Sequence, residues 1–263
     1  HLYGSGTCQK CHSGGGSKMK IAWLYHDFMD LYGDKGNIMV LQKRCEDRGI
    51  PCQVDKIGIG DETDLCDYDL IFLGGGADKE QLQLIPDLMA RRENIRKAMD
   101  EGTFALLICG GYQLFGEYYI AADGTKIDGL GFHSYYTDTG KAGARCIGNI
   151  VIEAQLDGRT TEIMGFENHG GQTCHVTHPL GKVIKGCGNS FDAGFEGYLD
   201  DHMLGTYIHG PLLPKNPDVA DFVIVKAMQK RNPSFRLEDL KPLDDSVAQL
   251  AREQVRRKLG LTE

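Results

Sequence analysis

At 263 residues, 41% of them hydrophobic, the chain is long enough to bury one substantial core. A net charge of −8, with the acidic residues scattered along the chain, speaks against a nucleic-acid or anionic-membrane surface. No apolar run approaches the ~18 residues needed to cross a bilayer, no signal-peptide pattern opens the chain, and nine dispersed cysteines fit a reducing cytoplasm better than a disulfide scaffold.

The first 18 residues are rich in glycine and serine and precede Met19, so residues 1–18 read as a tag or linker and 19–263 as a single domain. Within them Cys8-Gln-Lys-Cys11-His12 has the haem-attachment spacing, a short motif that arises by chance and has no distant axial ligand to support it. From Lys20 strands and helices alternate. Residues 21–25 predict a first strand, 36–48 a helix capped at Gly49, and 52–57 a second strand. Residues 69–73 predict a third strand ending in Gly74-Gly-Gly76, followed by a helical region from 78 to about 99 that breaks at Pro86. The run Phe104-Ala-Leu-Leu-Ile108 is a fourth strand, and 112–119 the helix packed on it. Four strands with intervening helices imply a flavodoxin-like α/β fold, with a mostly parallel sheet covered on both faces.

Beyond Glu117 the pattern turns glycine-rich and β-leaning, at 129–136, 147–153, 162–167, 171–185 and 196–199, which predicts antiparallel hairpins extending or flanking the sheet. A further strand at 203–208 stops at His209-Gly-Pro211. Asn216-Pro217 starts a helix, and a last amphipathic helix carries Val247, Leu250, Ala251, Val255 and Leu259 on one face, with Arg252, Arg256, Arg257 and Lys258 read as a solvated basic face.

In an open α/β sheet ligands bind beyond the carboxyl ends of the strands, where Gly74–Gly76, Cys109 and His209 all belong. Cys109 sits at a strand-to-helix corner. Glycines beside it permit a tight turn that pushes the sulfur out of the sheet, and the start of a helix favours thiolate. A thiolate attacking a carbonyl needs an imidazole to move protons and backbone N–H groups aimed at the oxyanion; His209 supplies the first, and Gly75 and Gly110 the second. Taken singly, each signal also fits a structural residue: an inert strand cysteine, a plain turn, a satisfied histidine. His26, His133, His175, His178 and His202 show no metal-ligand spacing.

The order of glycine-rich turn, Cys-Gly-Gly-Tyr-Gln113 and His-Gly-Pro211 resembles the class I glutamine amidotransferases, in the branch that includes cobyric acid synthase. Leu31-Tyr-Gly-Asp-Lys-Gly-Asn37, Gly165-Phe-Glu-Asn-His-Gly-Gly171 and the segment 205–216 tighten the likeness to the glutaminase subunits of lipid II isoglutaminyl synthase. The resemblance implies Cys109 as nucleophile, His209 as its base and Arg145 as the group that holds the α-carboxylate of glutamine, which a guanidinium does bidentately. Gln113, one turn beyond Cys109, either faces the substrate or packs. Asn168 and His169 are open between substrate contact and a turn, and Asp34 and Asn37 fall on the same rim without an assigned role.

Many class I amidotransferases carry a glutamate two residues after the histidine; here Pro211 stands in that place. The sequence therefore shows a dyad. Either another local carboxylate serves or the partner subunit supplies one, and the expectation is the partner, since that arrangement keeps glutaminase activity low until the complex forms. No phosphate loop of the form GxxxxGK[ST] is present, so this subunit is expected to carry no cofactor and to depend on an ATP-dependent, Mur-ligase-like partner of the MurT type. The heterodimer would amidate the D-glutamate of the lipid II stem peptide to D-isoglutamine at the inner face of the membrane. The alternatives are a glutaminase for a different synthase, such as a cobyric acid-type enzyme, a different cysteine hydrolase on the same elbow, and a binding module that keeps Cys109 in its core.

Overall fold

The computed structural model describes residues 18–140 and 143–261. The amino-terminal Gly-Ser-rich stretch before Lys18, with its Cys8–Cys11–His12 motif, lies outside the described residues. Strand β1 (Met19–Leu24) leads to helix α1 (Lys35–Glu46) and strand β2 (Cys52–Ile57). Strand β3 (Leu70–Leu73) is followed by α2 (Asp78–Ala90) and α3 (Arg92–Asp100), then β4 (Phe104–Ile108) and the short α4 (Gly110–Leu114). Next come β5 (Tyr118–Ile120), β6 (Lys126–Asp128) and β7 (Tyr136–Asp138), and the long pair β8 (Cys146–Leu156) and β9 (Arg159–His169). After β10 (Gln172–Cys174), β11 (Gly181–Lys185), β12 (Phe195–Glu196), β13 (Tyr198–Leu199) and β14 (Met203–Thr206), the chain closes with α5 (Leu212–Lys215), α6 (Pro217–Gln229) and α7 (Ser246–Lys258).

The central sheet has the order β13-β14-β4-β3-β1-β2, parallel except for the β13–β14 pair. Its middle strands are apolar along their whole length because both faces are covered: every residue of β3 and β4 is buried. The chain steps one way from β1 to β2 and the other way from β3 to β4. Right-handed crossovers therefore place α1 and the α2–α3 pair on opposite faces, and the order reverses between β1 and β3. That reversal opens a crevice at the carboxyl ends, and the loops after β1, β3, β4 and β14 converge there. The flavodoxin-like parallel core predicted from the sequence is thus the observed one.

The β-rich second half forms two separate four-stranded sheets, β10-β7-β5-β6 and β12-β11-β8-β9. In the latter, β8 and β9 pair in register over their full length around a turn at Asp157 (φ 48°) and Gly158 (φ 79°), the left-handed pair that a two-residue hairpin demands.

Several expectations are corrected. The helix after Cys109 ends at Leu114, and residues 118–120 are strand. Pro86 rides inside α2, where Leu82, whose carbonyl loses its helical donor, lies on the exposed side. The helix breaks at Arg91 instead, whose guanidinium donates to the carbonyls of Gly58 (2.9 Å) and Asp61 (2.7 Å). On α7 the predicted division of faces holds only in part: Arg257 and Lys258 are exposed and Val255 and Leu259 half-buried, while the other residues depart from it. Val247 (80% exposed) and Leu250 (59%) face out, while Arg252 donates to the Glu162 carbonyl at 2.6 Å and to Asn216 Oδ1 at 2.6 Å, and Arg256 pairs with the Glu162 carboxylate. The surface beneath offers carbonyls and a carboxylate, so guanidinium groups dock where apolar side chains would leave those acceptors unpaired.

Candidate active site

Strand β4 delivers Cys109 in a conformation that an ordinary residue rarely adopts, φ 51° and ψ −105°, with its N–H bonded to the Thr206 carbonyl at 2.7 Å and its own carbonyl accepting from Gln113 N at 3.0 Å. This is the strained corner that turns a side chain out of the sheet. It is possible because the next two residues are glycines. A Cβ on Gly111 would sit 2.4 Å from the Leu73 carbonyl oxygen, so only glycine lets α4 lie against the end of β3. Cys109 is 8% exposed and opens on a cleft of about 540 Å³. The cleft is also lined by Gln113, Arg145, Asn168 and His169.

His209 approaches from the opposite side. After β14 ends at Thr206 the chain leaves the sheet, and His209 pairs instead with Phe166 of β9 through two backbone hydrogen bonds, 2.7 and 3.0 Å. The segment is pinned from below by Glu196, whose buried carboxyl accepts from Tyr207 N at 2.7 Å and Thr206 Oγ1 at 2.8 Å. Burial pushes that carboxyl up to about 8, against the pull of these two donors. The His209 ring is fully buried, and Tyr32, itself held at φ 56°, lies edge-on to it with ring centroids 5.0 Å apart.

His209 Nδ1 lies 3.1 Å from Asp34 Oδ1, and both residues are completely buried. The other oxygen, Asp34 Oδ2, accepts from Gly75 N at 2.8 Å. Burial by itself would lower the imidazole, but the bond to Asp34 and the neighbouring Cys109 sulfur overcome it and push His209 up to about 10. The nucleophile and the imidazole meet over Gly75: a Cβ there would stand 3.1 Å from Cys109 Cβ and 3.2 Å from His209 Cε1. His209 Nε2 has no hydrogen-bond partner among the described residues, which leaves it free for a proton in transit.

Two sequence expectations change here. The carboxylate that orients the histidine belongs to this chain and is Asp34, on the loop after β1, so none from a partner is needed to complete the triad. Nor is Gly75 N–H free for an oxyanion, because it is spent on Asp34. The amide of Gly76 makes no hydrogen bond among the described residues, and that of Gly110 is the first of α4, with no carbonyl one helical turn back to accept from it.

The remaining predicted residues fall as follows. Arg145 is exposed at the cleft and donates from Nε (3.2 Å) and Nη2 (3.0 Å) to Asn168 Oδ1, while Asn168 Nδ2 donates to Tyr32 Oη at 2.5 Å. Gln113 lines the cleft with its Nε2 held by Tyr207 Oη at 3.1 Å. His169 stacks on Tyr207, centroids 3.8 Å apart, 3.6 Å from Glu167. Asn37 is structural: its buried Oδ1 accepts from Leu213 N at 2.8 Å. The sequence reading gave no role to Tyr32 or Gln81, which also line the cleft. The only available signals were the position of Tyr32 beside Asp34 and that of Gln81 one turn into the helix after the glycine loop.

Residues 20–217 match the CobB/CobQ-like glutamine amidotransferase domain. The chain is 37% identical over 235 residues to the lipid II isoglutaminyl synthase (glutamine-hydrolyzing) subunit GatD of Staphylococcus aureus strain N315, covering 88% of this chain and 93% of that one. The protein of the same name from Streptococcus pneumoniae is 38% identical over 216 residues, covering 81% and 82%. A probable cobyric acid synthase of Methanococcus maripaludis is 31% identical over 171 residues, covering 62% of this chain but 33% of that protein. With a cysteine on a glycine-supported elbow, a carboxylate-held histidine beside it and this match across most of its length, the chain belongs to the CobB/CobQ-like glutamine amidotransferase family.

Proposed function

We propose that this chain hydrolyses L-glutamine and hands the ammonia to an ATP-dependent, Mur-ligase-like subunit that amidates the D-glutamate of lipid II stem peptide. The observation that carries the chemistry is the Cys109–His209–Asp34 arrangement, with Cys109 lining the cleft and the other two buried behind it. Cys109 passes its thiol proton to His209 Nε2, and the thiolate attacks the side-chain carboxamide carbon of glutamine. The C–S bond forms as the carbonyl pair moves onto oxygen, toward the free amides of Gly76 and Gly110. When the adduct collapses, His209 Nε2 gives its proton to the nitrogen, the C–N bond breaks and ammonia leaves. Water then attacks the thioester, with the proton returning to His209, and releases glutamate and the thiol. Asp34 holds the ring with Nδ1 protonated and balances its charge. Arg145, at the outer end of the cleft, is the group for the α-carboxylate and exchanges its Asn168 contact for the substrate.

Assignment to lipid II rests on the two isoglutaminyl synthase subunits, which match over most of their own length, whereas the cobyric acid synthase matches over a third. The decisive experiment measures ammonia release from glutamine by the wild type and by Cys109→Ala, each with and without a Mur-ligase-like subunit, ATP and lipid II. Loss of release in Cys109→Ala and formation of amidated lipid II only in the complete mixture are expected. Release that survives the substitution overturns the assignment of the nucleophile; active ammonia release without lipid II amidation points to a different acceptor, such as a cobyrinic acid-type carboxylate.

A further inference from the structure

Gln81 is 1% exposed and lines the same cleft as Cys109. It occupies the first position of the stripe Gln81, Leu84, Leu88 that α2 turns toward the interior, a place where an apolar side chain would cost nothing. Its Nε2 is buried and has no hydrogen-bond partner among the described residues. A buried donor left unpaired destabilises a fold, so the resting protein gains nothing from having glutamine there. The amide is also close to the reacting centre: a Cβ on Gly110 would lie 1.9 Å from Gln81 Nε2, which puts that nitrogen against the residue that follows the nucleophile.

Resting on the glutaminase reading above, we propose that Gln81 is a catalytic residue, a side-chain donor whose Nε2 hydrogen bonds the carboxamide oxygen of glutamine as it becomes an oxyanion. Gly75 N–H is committed to Asp34, and Gln81 adds a side-chain donor from α2 to the backbone amides of Gly76 and Gly110. The bond is formed fully only when negative charge has developed, so Gln81 acts on the rate of C–S bond formation more than on the affinity for glutamine. It transfers no proton and leaves the balance of the reaction unchanged.

The test is steady-state ammonia release from glutamine by the wild type, Gln81→Met and Gln81→Glu, together with thermal denaturation and the affinity of each for glutamate γ-semialdehyde, whose hemithioacetal with Cys109 places an oxygen at the same point. Expected is a loss in kcat of about 10²-fold in both variants with KM within a few-fold of wild type, the scale of removing one oxyanion donor. A parallel weakening of the semialdehyde should accompany it. Gln81→Met should be at least as heat-stable as the wild type, since it removes an unpaired buried donor, whereas a purely structural glutamine would lose stability on substitution. Wild-type kcat in Gln81→Met overturns the proposal, as does a loss confined to KM or full activity in Gln81→Glu, which would mark the side chain as an acceptor. A wild type that binds neither glutamine nor the semialdehyde overturns the glutaminase reading itself, and this inference with it.

Discussion

At the scale of single residues, the site depends on Asp34 doing two jobs with its two oxygens: one fixes His209 and the other fixes the glycine loop under Cys109. Asp34→Asn keeps the size but offers its amide where the ring needs an acceptor, which favours the wrong tautomer of His209. By comparison with the same exchange in a serine protease triad, kcat for glutamine hydrolysis should fall by roughly 10²–10⁴-fold, measured as ammonia release, with the protein still folded. The same substitution should change how stability depends on pH. His209 is raised from the ordinary histidine range to about 10, so the folded protein holds a proton there that the unfolded chain has lost. That contribution to stability is fully present below about pH 6.5 and is lost as pH rises toward about 10. Urea unfolding across this window should show wild-type stability declining with pH and Asp34→Asn declining less; equal slopes would mean that Asp34 does not hold the imidazolium.

Among the elements, α7 shows how a helix can be docked by its charges. Arg252 reaches three acceptors on two other elements, the carbonyls of Lys215 and Glu162 and the side chain of Asn216, which itself bridges α5 to Met164 of β9. Arg252→Met preserves length and packing but strands these acceptors. It should cost about 1–3 kcal/mol in chemical denaturation, the range for leaving a buried polar group unpaired. Leu250→Gln, on the exposed side of the same helix, should change stability by less than about 0.5 kcal/mol. If the ranking is inverted, α7 is held by its apolar face after all. The pattern of i, i+3, i+4 spacing located this helix correctly but could not orient it, because periodicity reports which residues share a face and not which surface awaits them.

For the whole molecule, the site is an intersection of four loops at one rim of the sheet, and among the described residues Cys109 is the one thiol that lines it. Cys45 and Cys146 are buried in packing, while Cys109 lies at the cleft. Treatment of the intact protein with 6-diazo-5-oxo-norleucine should therefore give a single adduct by mass spectrometry, at Cys109, absent in Cys109→Ala; labelling spread over several cysteines would show that the cleft does not select a glutamine-like ligand. The parallel core, the nucleophile's elbow and the partnership of Cys109 with His209 were legible in the residues, since each has a local signature: an all-apolar strand, glycines flanking a cysteine, a histidine ending a strand. The helix after Cys109 was over-extended although Gly116, just past its end at Leu114, is a local stop, and residues 118–120 are drawn into strand by pairing with β6. The sequence alone pointed to Cys109 and His209 and determined the kind of sheet that carries them. Only the tertiary structure decided that Asp34, 175 residues away, is the carboxylate behind His209, that this capture occupies Gly75 N–H, and that Gln81 is buried beside Gly110 with its Nε2 unpaired among the described residues. The physical reason is that hydrogen bonds between loops depend on where the crossovers bring the chain back, and nothing in the spacing of residues along it records that return.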